Sequence, residues 1–220
     1  MGRHSGSRNS DFEQTRKTLL SAVRERLRAD GGLKTNFQEL AATAGVSTTT
    51  LRHYFGSRQG LVKAILEHDL TEGAPYLLAT ATQGPLTLRE SLEDFAMNLR
   101  VGFEFGVLRS HELGLSEGLG DQLVGPAYLN NVLEPTILAT ESRFSRLIAV
   151  GAMPPCDVRI AALTFLSPLL LAAMHQRALG GCELRRLDME AFSQEHIERF
   201  LKAYNTPLFG PAKTAHQTTP

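Results

Sequence analysis

Residues 45–61 read GVSTTTLRHYFGSRQGL, and the fold turns on how this stretch is read. Three consecutive threonines are poor helix formers. Yet Ser47 is placed to cap a helix starting at Thr48, and Val46 before it is spaced to pack on Leu51 as a hydrophobic staple. Leu51 and Phe55, four apart, give that helix one apolar stripe. Gly56 closes it, Ser57 caps the next helix, and Leu61, Ile65 and Leu66 then face a core. The short helix has little to bury: Thr48, Thr49, Thr50, Arg52, His53 and Tyr54 include no aliphatic side chain.

Upstream, Asn36 can cap a helix and Glu39 can complete its capping box. Phe37, Leu40, Ala41 and Ala44 fall on one face of that helix, and Gly45 ends it. Before it, Leu19, Leu20, Val23 and Leu27 mark a helix over 11–29 that stops at Asp30-Gly31-Gly32. Two short helices joined by a tight glycine turn describe a helix-turn-helix. A plain helical hairpin would account for the caps, but not for a second helix so poor in apolar surface. Small hydroxyls at a helix start can approach a phosphate closely, where the helix dipole adds attraction. Arg52 and His53 can reach further into a major groove.

The ordered series Thr35-Asn36-Phe37, Glu39-Leu40-Ala41, Ala44-Gly45-Val46-Ser47, Thr50-Leu51, His53-Tyr54-Phe55 and Ser57-Arg58 closely resembles the N-terminal module of TetR-type transcriptional repressors, over roughly residues 11–68. The resemblance implies an all-α homodimer with a three-helix, homeodomain-like helix-turn-helix head. A larger helical-bundle body would bind a ligand and form the dimer. Carried onto this sequence, the DNA-binding residues are Thr35, Asn36, Ser47, Thr48, Thr49, Thr50, Arg52, His53, Tyr54 and Arg58. Three positions depart from the family: Thr48 stands for a common lysine, Thr49 for glycine and Arg52 for tyrosine. Arg58 stands where the family usually has lysine and is expected to keep a contact to the DNA backbone. An altered operator preference, centred on Arg52, is the consequence.

The rest of the chain fits one such head and body. Of 220 residues, 42% are hydrophobic and 21% charged, an ordinary globular balance. Net charge is zero, but residues 1–68 hold 11 Lys and Arg against 6 Asp and Glu, and the remainder is correspondingly acidic. A basic head on an acidic body suits a nucleic-acid-binding module. Residues 1–10 read as a disordered basic tail, 11–70 as the head, 75–205 as the body and 206–220 as a second disordered tail. No apolar run near the start suggests a signal peptide, and the apolar stretch Ile160–Met174 is short of a bilayer span. A cytoplasmic protein with no membrane partner is expected, with Cys156 and Cys182 as thiols.

In the body, helices are expected over about 87–106, 109–117, 121–133, 135–150 and 157–179, with a last one capped by Asp188. Pro135 either kinks one long helix or starts a second, and Pro168 should kink the 157–179 helix. That helix is apolar nearly all round, so both of its sides should be covered. A ligand cavity could be lined by Phe95, Leu99, Phe103, Phe144, Phe165 and Met174, with Arg100, His111 or His175 as polar contacts. A Phe or Met stripe at helical spacing is equally what a packed core looks like. The resemblance implies that the two C-terminal helices pair across the dimer, through Phe165, Leu169, Leu170, Phe192, His196, Phe200 and Tyr204.

No phosphate loop, nucleophile elbow or metal-ligand spacing is present, so no enzyme, metal or cofactor is expected. The expected partners are near-palindromic double-stranded operator DNA, a small-molecule effector and a second copy of the chain. Two alternatives remain open: a DNA-binding regulator whose body is ligand-independent or binds a protein, and a metal-free helical enzyme.

Overall fold

The computed structural model describes residues 5–85 and 87–205, and every element among them is helical. The first, α1, spans Ser5–Arg28 and so begins inside the stretch expected to be a tail. Gly and Ser there lower helix propensity, but Phe12 stacks on Tyr54 at 4.6 Å and anchors the early turns. The second tail, 206–220, lies outside the described residues. A single 3-10 turn, Gly32–Lys34, leads into α2 (Phe37–Thr43), α3 (Thr48–Phe55) and α4 (Arg58–Thr82). The 25-residue α4 runs through Pro75, which costs it one backbone hydrogen bond without ending it.

Next come α5 (Leu88–Glu104), α6 (Val107–Gly118) and α7 (Val124–Tyr128). A π turn over Leu129–Leu133 joins α7 to α8 (Glu134–Ala149). Pro135 therefore starts no new helix: the widened turn ahead of it accommodates a residue that cannot donate. In α9 (Val158–Ala173), Pro168 again lies inside the helix. A second π turn, Met174–Ala178, extends α9 past the expected end of the apolar run. Val158–Ala178 is thus long and apolar enough, by length and composition, to cross a membrane. The short α10 (Gly181–Leu184) precedes α11 (Met189–Asn205), whose first turn donates Glu190 and Ala191 N–H groups to Asp188 Oδ1 at 3.0 and 3.1 Å.

By packing, the described residues fall into two compact units: those up to 78 together with 100–136, and 79–99 together with those from 137 onward. In the first, Leu19, Val23 and Leu27 of α1 meet Leu40, Leu51, Phe55, Leu61 and Ile65. That core continues into Leu113 of α6 and Val124, Ala127 and Tyr128 of α7. The packing boundary differs from a head of 11–70 and a body of 75–205, because α6 and α7 share the head's core.

The second unit is built on aromatic rings. Phe165 of α9 lies 5.7 Å from Phe95 of α5, 6.2 Å from Phe144 of α8 and 5.2 Å from Phe200 of α11. Beside them Arg143 is almost wholly buried, with Nε donating to Ser91 Oγ at 2.7 Å and Nη2 to Asp94 at 2.6 Å. The expectation that α9 is covered on both sides fails for this chain alone. Ala161, Phe165 and Leu169 are buried, whereas Ile160, Leu163 and Leu171 face outward.

Between α6 and α7 the approach is close enough to exclude a methyl group. A Cβ on Gly114 would sit 2.1 Å from Tyr128 Cδ2 and 2.5 Å from Cγ, the root of the ring. Gly114→Ala should lower stability by about 1–2 kcal/mol even after its gain in helix propensity. Urea denaturation measures this, and an unshifted midpoint would mean that the ring yields without cost.

Candidate nucleic-acid interface

The helix-turn-helix is fixed by its caps. Asn36 Oδ1 accepts the Glu39 N–H at 2.9 Å, and Glu39 Oε2 accepts the Asn36 N–H at 2.9 Å. Ser47 Oγ accepts the Thr50 N–H at 3.0 Å and shares a hydrogen bond with Thr50 Oγ1 at 2.9 Å. Gly45 and Gly56 close α2 and α3 with φ of 69° and 74°, a region L side chains rarely enter. Val46 is half-buried against the same core as Leu51, as the staple requires.

Of α3 only Leu51 and Phe55 are buried. Thr49, Arg52 and His53 are exposed, and Thr48, Thr50 and Tyr54 are half-buried. Tyr54 lies on Phe12, and the His53 ring stands edge-on to both, 5.8 Å from Phe12 and 5.3 Å from Tyr54. The helix therefore turns a hydroxyl-bearing first turn and then Arg52 and His53 toward solvent. Asn36 and Ser47 already use their side chains as caps, and the Thr50 hydroxyl is bonded to Ser47.

Two of the ten sequence-derived residues are placed differently. Thr35 is 3% exposed and its Oγ1 is buried without a hydrogen-bond partner. Arg58 is turned inward: Nε donates to Glu117 Oε1 at 2.8 Å and Nη2 to the same oxygen at 2.5 Å. Its remaining donors reach the Leu33 carbonyl at 3.2 Å and the Thr35 carbonyl. This guanidinium ties the start of α4 to the end of α6 and to the link before α2. Sequence reasoning could not find this, because Glu117 lies 59 residues away and belongs to no local pattern.

A second ionic tie uses Asp69 of α4. Its carboxylate accepts Arg24 Nε at 2.6 Å, Arg28 Nη2 at 3.0 Å and Ser110 Oγ at 2.5 Å, joining α1, α4 and α6. Burial lowers the Arg28 pKa, opposed by the charge of Asp69. Arg109 adds a third tie, to Asp30 at 2.6 Å and Glu112 at 2.7 Å.

The residues proposed for a ligand fall into two groups. In the first unit, His111 Nδ1 lies 2.8 Å from Tyr128 Oη and Phe103 meets the imidazole edge-on at 6.2 Å. In the second, Phe95 and Phe144 are buried and each packs on the buried Phe165, and Leu99 also belongs to that unit. His175 is exposed and bonded to Gln176 at 2.8 Å, Met174 is half-buried, and Arg100 belongs to the first unit. Of the residues proposed for the dimer, Phe165, Leu169 and Phe200 are buried in the chain's own core. Leu170, Phe192, His196 and Tyr204 are half-buried, and His196 Nε2 lies 2.9 Å from the Phe165 carbonyl.

The two arginines should separate cleanly in a stability measurement. Arg58→Ala should cost about 1–3 kcal/mol, since Glu117 and two carbonyls lose charged donors. Arg52→Ala should change stability by less than about 0.5 kcal/mol. Equal effects in urea titrations would contradict this division.

Burial pulls His111 down to about 4 from an ordinary 6.5. In that window the unfolded chain binds a proton the folded chain refuses, so stability falls as pH drops from 6.5 toward 4. The slope is at most about 1.4 kcal/mol per pH unit for one such group. His196, also lowered by burial, adds to the fall. His111→Gln should flatten the profile in part; an unchanged profile would contradict the assignment.

Residues 19–65, which hold α2, α3 and the facing parts of α1 and α4, match the family of bacterial regulatory proteins of the tetR type. No curated protein matches the chain. Among solved structures, a protein from Mesorhizobium loti MAFF303099 assigned to the TetR regulators shares 18% identity, covering 88% of this chain and 98% of its own, with a TM-score of 0.69. SmeT, the repressor of the Stenotrophomonas maltophilia multidrug efflux pump SmeDEF, is 18% identical over 93% of this chain and 97% of its own, with a TM-score of 0.58. FadR from Bacillus subtilis, in complex with stearoyl-CoA, is 16% identical over 84% and 96%, with a TM-score of 0.61. At these identities the structural likeness establishes the fold, and the family match is confined to residues 19–65. Residues 19–65 thus match the tetR-type regulatory module, and over most of its length the chain shares the fold of solved TetR-type regulators.

Proposed function

We propose that the chain is a homodimeric repressor that holds a near-palindromic operator through α3 and releases it when a small, largely apolar ligand binds. The exposed face of α3 is the observation that carries this reading. An eight-residue helix with two buried side chains presents its threonines, Arg52 and His53 outward instead of using them for packing. In a two-fold dimer, two such helices read half-sites about 34–36 Å apart or a multiple of a helical turn.

The outward apolar side chains of α9 support the dimer. Ile160 and Leu171 are 60% and 69% exposed, with Leu163 between them, and apolar surface in a row on one helix face favours a partner. We therefore locate the contact on these three residues, with Leu170 at its edge, in place of Phe165, Leu169 and Phe200. On this reading Val158–Ala178 meets a second copy of itself and not lipid, and the protein works in the cytoplasm.

An apolar effector is suggested by the stearoyl-CoA complex among the structural relatives. It would act by linkage, shifting the heads toward a spacing that DNA disfavours, by no more than its differential affinity for the two states. A second reading, in which the body is ligand-independent or binds a protein, draws support from the second unit, whose phenylalanines fill one another's space.

Selection from a random DNA pool should return a near-palindrome. Leu171→Glu should sediment as a monomer and bind that sequence at least about tenfold more weakly, since it loses the second half-site. A dimeric Leu171→Glu protein would overturn the interface. Stearoyl-CoA, as a long apolar probe, should raise the melting temperature and release the operator. A family of such probes with no effect on either would favour the second reading.

A further inference from the structure

We propose that Phe37 is a specificity-determining residue that never touches DNA: its ring is the platform that aims Arg52 at a base edge. This rests on the reading of α3 as the recognition helix. The guanidinium carbon of Arg52 lies over the Phe37 ring, 5.9 Å from its centroid. The two residues belong to different helices, Phe37 to the first turn of α2 and Arg52 to the middle of α3. Among the described residues Arg52 makes no ion pair, whereas the neighbouring Arg58 is held by Glu117 and two carbonyls. The aromatic face is what stands beside this cation.

The platform itself is well fixed. Phe37 follows Asn36, whose reciprocal capping box with Glu39 sets the first turn of α2. The ring is half-buried against the cluster that contains Leu40 and Leu51, so its position does not depend on DNA. An arginine in solvent samples many rotamers, and ordering it on binding costs free energy. A guanidinium already resting on a ring has fewer directions to lose, and its planar fork is kept for bidentate hydrogen bonds to a guanine edge. A flanking aliphatic side chain would bury similar area but would supply no quadrupole to hold the cation.

The test is a binding selection from a random pool with the full chain, comparing wild type, Arg52→Ala, Phe37→Met, Phe37→Tyr and the Arg52→Ala/Phe37→Met double variant. Arg52→Ala should lose about tenfold discrimination at one or two base pairs per half-site. Phe37→Met should lose about threefold at those same positions and little elsewhere, while Phe37→Tyr keeps the wild-type preference. On the Arg52→Ala background, Phe37→Met should change nothing further at those positions. Circular dichroism confirms that each variant is folded; should Phe37→Met fail, Phe37→Leu takes its place. A Phe37 variant that weakens every sequence alike, or leaves the Arg52-dependent positions untouched, overturns the proposal while leaving α3 as the reader. A wild-type chain that selects no sequence overturns both.

Discussion

An eight-residue helix that keeps one face outward has very few side chains left to hold it. Here α3 has Leu51 and Phe55 in the core and little else. Each buried side chain of that size contributes about 1.5–3 kcal/mol, too little to fix a helix of threonines by itself. Its position is therefore set by neighbours. Ser47 satisfies its first turn, Gly45 and Gly56 let the chain turn sharply at both ends, and Phe12 of α1 stacks on Tyr54 from outside. The outward face can be polar because its packing has been delegated to other helices.

Those neighbours need fixing in turn, and the molecule does it with charge. Asp69 receives two arginines of α1 and a serine of α6, and Glu117 receives Arg58. With side-chain exposures of 8% for Asp69 and 17% for Glu117, these carboxylates are largely withdrawn from water. Such pairs add little net stability, because desolvation offsets attraction, but losing one partner strands the other. Their effect is geometric: α6 keeps a defined register against both α1 and α4. A hydrophobic contact could slide by half a turn at small cost; a bidentate guanidinium could not.

What the sequence made legible was local. The capping box at Asn36, the cap at Ser47, the glycine stops and the spacing of Leu51 and Phe55 all lie between Asn36 and Gly56, and each appears in the structure. The placement of Arg58 was not legible, since its partner comes from α6 and only tertiary packing brings it close. The start of α1 was hidden for a similar reason: glycines and serines argue for a tail until Phe12 is seen on Tyr54. In α9 the pattern was ambiguous in principle. Hydropathy reports that Ile160, Phe165 and Leu171 are all apolar; it does not say which meet the chain's own core and which face outward. The π turn before Pro135 leaves no signature beyond the proline itself.

Charge shows the same limit of linear reading. Residues 1–68 carry an excess of five cations, which looks like a basic head. By packing unit the excess vanishes: residues 1–78 with 100–136 hold 13 Lys and Arg against 13 Asp and Glu. The acidic residues of α4 and α6 neutralise Arg24, Arg28 and Arg58, leaving Lys34 and Arg52 exposed near the two short helices. Attraction to DNA then depends on where charge sits, over distances of about one Debye length, and not on the sum. Non-specific binding to DNA is almost entirely a matter of phosphate neutralisation, so it would rest on those few exposed cations. On the proposed reading, discrimination falls to the groups that would meet base edges, and Arg52 is the one arginine of α3.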